Sequence, residues 1–474
     1  MADLHELSAL EQGALLRSGK ISSVELTDHY LDRIERADHD FVAGAFARLD
    51  PDLARARARE VAAVGPVGEG ASPLAGVPTA IKDLNLTAGV PTEFGSPAFR
   101  GFVPEVSDAV TLAMEAAGLV SVGKTSTPEF GSPCYTEPEG RPPAVTPWDT
   151  SRMAGGSSGG AAAAVAAGLV PVAQGSDGGG SIRIPASCCG LVGLKPTRGR
   201  ISGFPMYGDP IGLSTSGSLA RTVADAAALL DVLAGRRVSD PSWAPEPSGT
   251  FLEATRRDPG RLRIARFVQP VIADVEVDPA CRQAYDDASH LLADLGHVIE
   301  DVPVPLPPDA VGTFEICWAV LTAQSVTPLS ADQRVLLRPL TQWLGERGAA
   351  VSAPDFGLAI GALRRYAADA LVGLAPYDAV LTPTLATPPL PVGAIRDDED
   401  PAADFEAQKR FTPWTSAWNV TGMPAISLPL HWTSEGLPVG VMLAARPADE
   451  ETLLSLAAQV EAASSWHDRR PPLW

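Results

Sequence analysis

Apolar residues near the start of the chain recur at helical spacing. Leu26, Tyr30 and Ile34 lie four residues apart, and they follow a Ser-x-x-Glu sequence with the spacing of a capping box. Further along, an Asp-Pro pair precedes a second segment that can form a helix. We therefore expect residues 1–65 to form a helical N-terminal part.

From residue 76 onward, short apolar runs alternate with segments of helical periodicity. The apolar runs predict strands at 76–82, 119–123, 171–174, 191–194, 262–267, 297–302, 379–383, 425–429 and 439–445. The periodic segments predict helices at 108–117, 161–167, 223–233, 279–295, 314–325, 356–374 and 450–462, in addition to 53–64. Alternating strands and helices over this length predict an α/β fold with helices on both faces of a sheet.

Two polar segments interrupt this alternation. Residues 236–260 are rich in proline, serine and charge, and we expect them to form a surface connection. This connection either divides the chain in two or leaves the later strands free to return to the same sheet. Residues 397–404 are acidic and contain a proline, which predicts a solvated connector.

The composition is that of a globular protein with a large core. The 474 residues are 45% hydrophobic and 20% charged. The net charge of −20 argues against binding to nucleic acid or to an anionic membrane surface, because both need a basic face. The longest apolar run, 161–173, is too short to span a membrane, and the N-terminus lacks the basic and apolar parts of a signal peptide.

Cysteine usage indicates a reducing compartment. The five cysteines are odd in number and irregularly spaced, which argues against a disulfide framework, and no Cys/His cluster suggests zinc. We expect a cytoplasmic protein without a metal or another cofactor.

The most informative chemistry lies in residues 153–197, where two glycine-rich loops carry Ser157 and Ser181. A serine hydroxyl is a poor nucleophile until a base takes its proton, and no histidine is near this segment in sequence. The loop around Ser157 matches G-x-S-x-G, but polar residues rather than a strand precede it, which disfavours an α/β-hydrolase. The second loop lacks the GK[ST] ending of a phosphate-binding loop.

In the second loop, backbone N–H groups can converge on one point because glycines lack side chains. Such a cluster of donors would form an oxyanion hole beside the Ser181 hydroxyl. The predicted donors are the N–H groups of Gly178, Gly179, Gly180 and Ser181. For either loop alone, a tight turn between a strand and a helix is the competing interpretation.

Longer sequences extend this pattern: GGSSGGAAAAVAAG, GSDGGGSIRIPASCCGLVGLKPTRGRIS, GVPTAIKD and GKTSTPEF, with NVTGMPAISLPL and LPVGVMLAARPADEETLLSLAAQVE near the C-terminus. Together they resemble the amidase signature family over most of the chain. The resemblance implies one large α/β domain, 1–474, with a central mixed β-sheet covered by helices on both faces. Its parts are the helical segment 1–65, a catalytic core at 66–235, the connection 236–260, and 261–474, which completes the sheet and carries the substrate-pocket helices.

The family uses a Ser–cis-Ser–Lys triad, and three residues of this chain match it. Ser181 matches the nucleophile, Ser157 the bridging serine after a cis peptide bond, and Lys82 the base. Lys82 must be neutral to accept a proton, and burial would lower its pKa from about 10.4. The resemblance also implies a loop-supporting role for Ser158, Asp177 and Arg183.

The resemblance implies an amide hydrolase that acts on C–N bonds other than peptide bonds. Esters and carbamates share the tetrahedral chemistry and are further candidate substrates. Two alternatives stay open: the glutaminase A subunit of a glutamyl-tRNA amidotransferase, and a non-catalytic binding protein that has kept the fold. We expect a small-molecule substrate, no nucleic-acid or membrane partner, and a monomer or homodimer.

Three segments with aromatic residues, 125–140, 314–324 and 411–418, are candidate walls of a substrate pocket, and the first two also contain a cysteine. Their apolar character favours an aryl or alkyl substrate, although such clusters more often belong to the core. The candidate pocket residues are Phe130, Gly131, Cys134, Cys317, Trp318 and Trp414.

Overall fold

Helices and strands alternate through the computed structural model, which describes residues 3–64, 72–464 and 466–474. The helices are α1 (Ala9–Arg17), α2 (Ser23–Arg36), α3 (His39–Ala45), α4 (Pro51–Val64), α5 (Ala109–Ala116), α6 (Gly159–Ala166), α7 (Arg183–Cys189), α8 (Val223–Leu233), α9 (Phe251–Ala254), α10 (Pro279–Asp294), α11 (Asp309–Val326), α12 (Ala331–Arg334), α13 (Pro339–Ala349), α14 (Ala353–Leu374), α15 (Pro401–Phe411), α16 (Ala417–Thr421) and α17 (Glu450–Ala462). The strands are β1 (Phe46–Leu49), β2 (Pro78–Lys82), β3 (Val120–Thr125), β4 (Val145–Thr146), β5 (Asp149–Met153), β6 (Val172–Asp177), β7 (Val192–Lys195), β8 (Thr215–Ala220), β9 (Arg263–Arg266), β10 (Val298–Asp301), β11 (Ala379–Pro383), β12 (Ala425–Trp432) and β13 (Pro438–Ala445).

The main sheet has eight strands in the order β10-β9-β11-β13-β12-β7-β8-β6. The first three strands are parallel and the other neighbours are antiparallel, so the sheet is mixed, as the resemblance implies. Successive strand residues point to opposite faces. Leu381 and Leu443 join a core with α8, α10 and α17, whereas Val380 and Met442 join a core with α11, α14 and α16. Helices therefore cover both faces.

The strands that follow the connection 236–260 return to the same sheet. β12 pairs with β7, and Ile426 lies opposite Leu194. The connection itself contains the short helix α9, whose Phe251 and Ala254 are buried in the core with α8. Strands from before and after the connection thus form one α/β domain. The boundary predicted at residues 65–66 lies outside the described residues.

A smaller sheet, β1-β3-β2, lies beside β6 and carries Lys82 at the end of β2. Side chains rather than a backbone ladder link β2 to β6. Thr79 Oγ1 donates to Val172 O over 3.0 Å, and the Lys82 N–H donates to Gln174 Oε1 over 3.0 Å. This link brings the ends of β2 and β6 together.

Several elements differ from the sequence prediction. The strands that were not predicted are β1, β4, β5 and β8, and the helices are α7, α9, α12, α13, α15 and α16. The segment 397–404 is only in part the predicted solvated connector, because α15 begins inside it. Asp404 is fully buried there and accepts hydrogen bonds from Tyr135 Oη (2.5 Å) and Gln408 Nε2 (2.6 Å). Across the described residues, no helix is both long and apolar enough to cross a membrane.

Candidate active site

Lys82 lies fully buried at the end of β2, where its amine contacts two hydroxyl groups. Nζ donates to Ser157 Oγ over 2.7 Å and to Ser176 Oγ over 3.0 Å. Burial lowers the pKa of Lys82 to about 7, and the negative charge of Asp177 opposes part of this effect. The amine can therefore be unprotonated near neutral pH.

The Gly156–Ser157 peptide bond is cis. Gly156 packs directly against the backbone of Tyr135, so that a Cβ at this position would lie 2.7 Å from the Tyr135 N and C atoms. Thr136 supports the same turn, because its Oγ1 donates to Gly155 O over 2.9 Å. The Ser157 loop is thus closely packed against residues 135–136.

Ser181 lies in the loop between β6 and α7 and is 7% exposed. The Ser158 N–H donates to Ser181 O over 3.1 Å, which joins the two glycine-rich loops. Ser158 Oγ also donates to Ser176 O and accepts from the Ser176 N–H, both over 3.2 Å. Ser158 therefore links both serine loops to the end of β6.

A buried ion pair holds the Ser181 loop. Arg183 donates to both carboxylate oxygens of Asp177, over 2.8 and 2.9 Å, and both side chains are fully buried. Burial alone raises the pKa of Asp177, but the ion pair with Arg183 outweighs it and lowers the pKa to about 2. Asn419 donates to Asp177 and accepts from Arg183, which connects the loop to α16.

The prediction that the Gly180 N–H belongs to an oxyanion hole is wrong, because this group donates to Asp177 Oδ1 over 2.8 Å. The N–H groups of Gly178, Gly179 and Ser181 donate to no atom of the described chain. Those three donors are therefore free for a substrate oxygen.

A cavity opens beside Ser181, and we refer to it as the Ser181 cavity. Its lining residues are Ser132, Cys134, Gly179, Ser181, Ile184, Ile272, Val311, Phe314, Glu315, Trp318, Phe405, Gln408, Lys409, Thr412 and Ser416. Aromatic and aliphatic side chains form much of this lining. Phe314 stacks on Trp318, with ring centroids 5.5 Å apart.

The residues around the cavity do not form a metal site. The described residues contain no group of three or more His, Cys, Asp or Glu side chains that could hold a metal ion. The polar groups of the cavity are instead hydroxyls, an amide, a thiol and the ion pair of Glu315 with Lys409.

Sequence comparison gives the family of the chain. Residues 25–454 match the family described as Amidase. The chain belongs to the amidase family. It is 38% identical to a putative amidase from Synechocystis sp., over 97% of this chain and 89% of that protein. It is 35% identical to a 6-aminohexanoate-cyclic-dimer hydrolase from Pseudomonas sp., over 98% of this chain and 96% of that protein.

The fold of this amidase also matches a solved structure. The structure of a 6-aminohexanoate cyclic dimer hydrolase superimposes with a TM-score of 0.91 at 33% identity, and the match covers 100% of both chains. The similarity therefore includes the helices that line the Ser181 cavity as well as the two glycine-rich loops.

Of the predicted pocket residues, Cys134 and Trp318 line the Ser181 cavity of the amidase. The predictions for Cys317 and Trp414 are wrong, because both are fully buried in the core with α14 and α16. Trp414 donates its indole N–H to Gln269 O over 3.0 Å.

Phe130 and Gly131 are not among the residues that line the Ser181 cavity. Phe130 packs edge-on against Phe99, with ring centroids 5.8 Å apart, in a small separate cluster. Gly131 lies beside the Ser157 loop, where an added Cβ would be 3.2 Å from Ser157 Oγ.

Sequence reasoning missed Ser176 and the cavity lining from α15. The predicted wall segments 125–140, 314–324 and 411–418 each contribute to the lining, which includes Ser132 and Cys134 from the first, Phe314, Glu315 and Trp318 from the second, and Thr412 and Ser416 from the third. Ser176 stands in the GSDGGGS sequence, five residues before Ser181, and its hydroxyl reaches Lys82. Its position in a strand that ends at the nucleophile loop was an available signal. Gln408 and Lys409 gave no such signal, because the segment before them looked solvated.

Proposed function

We propose that this amidase hydrolyses carboxylic amides through an acyl-enzyme on Ser181. The observation that carries the proposal is the buried Lys82 amine, which donates to Ser157 Oγ over 2.7 Å and whose pKa burial lowers to about 7. Such an amine can accept a proton near neutral pH. Ser157 Oγ contacts the Lys82 amine, and the backbone hydrogen bond from the Ser158 N–H to Ser181 O joins the Ser181 loop to the Ser157 loop. This arrangement supports Ser157 as the relay between the Ser181 hydroxyl and Lys82.

In this mechanism Ser181 Oγ attacks the carbonyl carbon, and its proton passes through Ser157 to Lys82. The free N–H groups of Gly178, Gly179 and Ser181 stabilise the negative oxygen of the tetrahedral intermediate. When the C–N bond breaks, the proton returns along the same path to the leaving nitrogen. Water then attacks the acyl-enzyme with the same base, which releases the carboxylic acid.

The lining of the Ser181 cavity supports an apolar aryl or alkyl acyl group. The apolar side chains that line it include Ile184, Phe314, Trp318 and Phe405. Burial of a hydrocarbon group against these side chains is favourable, whereas a strongly hydrated group would lose its water. The relative named for hydrolysis of a 6-aminohexanoate cyclic dimer supports amides with aliphatic chains. Esters and carbamates share the tetrahedral intermediate and are secondary candidates.

The test is a substrate panel assayed on the purified chain and on Ser181→Ala. We expect turnover of alkyl and aryl anilides by the wild type, and a loss of at least about 10⁴-fold in kcat for Ser181→Ala. A fluorophosphonate probe should label the wild type but not this variant. The matched control is Ser325→Ala on the exposed face of α11, which should keep both activity and labelling. Near-normal turnover by Ser181→Ala would overturn the proposal.

Assays with glutamine, with partner subunits and with the fluorophosphonate probe distinguish this proposal from its two alternatives. A glutaminase A subunit would hydrolyse glutamine and leave anilides untouched without its partners. A non-catalytic binding protein would fail to react with the fluorophosphonate probe. Full activity of the isolated chain on simple anilides excludes both.

We further propose that the chain works in the cytoplasm as a monomer or homodimer, without nucleic acid. All five cysteines are free and buried, which suits a reducing compartment. The net charge of −20 opposes contact with phosphate backbones.

A further inference from the structure

The apolar wall of the Ser181 cavity is interrupted by one ion pair. Lys409 on α15 and Glu315 on α11 both line the cavity, and Lys409 Nζ lies 2.5 Å from Glu315 Oε1. Their side chains are only 13% and 18% exposed. The mechanism on Ser181 uses neither group, so this pair is free to serve substrate binding.

Both partners keep hydrogen-bonding capacity after the contacts they already make. Lys409 has three N–H donors, and Glu315 and Glu406 accept two of them, each over 2.5 Å. Glu315 receives Lys409 on one oxygen and has Arg347 at 3.6 Å from the other. A carboxylate has about four acceptor positions, so it can accept one more donor.

The charges in this cluster balance. Glu315 and Glu406 are negative, and Lys409 and Arg347 are positive. At this position the negative charge of Glu315 would repel a substrate carboxylate, and the positive charge of Lys409 would repel a substrate ammonium. A neutral amide has a carbonyl acceptor and an N–H donor side by side, and it can satisfy both members of the pair without repulsion.

We propose that Lys409 and Glu315 bind a second, uncleaved amide group of the substrate, so that the preferred substrates are diamides in which an apolar spacer joins the two amides. This inference rests on the proposed function, because it concerns the same cavity. The Lys409 N–H donates to the carbonyl oxygen of the second amide, and the Glu315 carboxylate accepts its N–H. The aromatic residues Phe314 and Phe405 contact the spacer.

The first experiment compares anilides that differ only at the far end of the acyl chain: methyl, primary amide, carboxylate or ammonium, each with several spacer lengths. In the wild type we expect the amide-tipped anilide of the best length to have a KM about tenfold to a hundredfold below that of the methyl-tipped one, with similar kcat. The two charged tips should give the highest KM values. Equal KM for amide and methyl tips at every length would overturn the inference.

The second experiment uses Lys409→Met and Glu315→Gln. Both variants should lose the preference for the amide tip, and their charge preferences should change in opposite directions. Lys409→Met should favour the ammonium tip, and Glu315→Gln the carboxylate tip. Lys20→Met changes the net charge by the same amount as Lys409→Met, but at an exposed position, and it should keep the wild-type order of KM values.

The outcomes separate this inference from the proposed function. Turnover of the methyl-tipped anilide by the wild type tests amide hydrolysis alone. A merely structural role for the ion pair would change kcat and KM for all tips alike in both variants, which would contradict the inference. If either variant fails to fold, the wild-type order of KM values still decides.

Discussion

Lys82 differs from the other buried lysines of this chain in what its amine contacts. Lys124 lies 3.9 Å from the Asp83 carboxylate, and Lys195 donates to the carbonyl of Pro196. Burial lowers the pKa of all three, to about 8 for Lys124 and about 7 for Lys82 and Lys195. Among these three lysines, only Lys82 combines the lowered pKa with contacts to two serine hydroxyls, which supports its proposed role as the base.

The pH profile of the reaction should report the Lys82 amine. Because its pKa is lowered to about 7, the amine is protonated and inactive as a base below this pH and unprotonated above it. We expect kcat/KM for an anilide to rise with pH, reach half its maximum near pH 7, and then level off. Lys82→Met should lose several orders of magnitude in kcat with the fold intact, as judged by circular dichroism.

Lys195 provides the control for this assignment, since burial lowers its pKa to about 7 as well. Lys195→Met should keep the midpoint of the pH profile in whatever activity it retains. A midpoint that disappears in this variant would assign the titration to Lys195 and contradict the role of Lys82.

At the residue scale, the sequence predicted the site residues that stand in long motifs. These residues are Lys82, Ser157, Ser158 and Ser181, and the structure brings them together. The predictions failed where an apolar side chain could be buried either in the core or at the cavity wall, as for Trp414. Apolar periodicity indicates burial but not which buried surface a ring faces.

At the scale of elements, α15 connects the Ser157 loop with the Ser181 cavity. Asp404 accepts a hydrogen bond from Tyr135, whose backbone packs against Gly156. One turn further along the helix, Gln408 and Lys409 line the cavity. The sequence could not predict this role, because the partner that makes burial of Asp404 favourable lies 269 positions earlier in the chain.

Removing the Asp404 carboxylate should destabilise the protein. In Asp404→Ala, the buried Arg338 loses a negative charge 3.8 Å away, and Tyr135 and Gln408 lose their acceptor. Arg338 keeps its ion pair with Asp398, so the main loss is the acceptor of two buried donors. We expect the free energy of unfolding to fall by about 2–4 kcal/mol. Urea denaturation followed by tryptophan fluorescence measures this loss.

The comparison variant is Asp400→Ala, which removes only the N-cap of the same helix. Loss of such a cap costs about 1 kcal/mol. Equal losses for the two variants would mean that the buried network around Asp404 contributes little.

At the scale of the whole molecule, the main sheet unites strands from both sides of the connection 236–260. β7 and β12 form a continuous antiparallel ladder at its centre. The sequence predicted seven of these eight strands and missed β8. Their order depends on pairing between distant segments, which local patterns do not encode.

This arrangement predicts cooperative unfolding of the whole chain. We expect a single thermal transition, with the same midpoint by circular dichroism and by tryptophan fluorescence, because neither half can lose its strands without exposing the other. Trp148 precedes the connection and Trp418 follows it, so the fluorescence samples both halves. Two separated transitions would show instead that the connection joins independent domains.

The order of the site residues along the chain has an evolutionary consequence. Lys82, Ser157 and Ser181 all precede the connection, whereas most of the side chains that line the Ser181 cavity follow it. In the proposed mechanism, the residues that break the bond and most of the residues that contact the substrate therefore lie in two consecutive blocks of sequence. Recombination between family members at residues 245–248, which are exposed or half-buried, would exchange one block and keep the other, provided that the β7–β12 ladder is preserved. Such an exchange would change the lining of the Ser181 cavity, and with it the substrates, while Lys82, Ser157 and Ser181 stay in place.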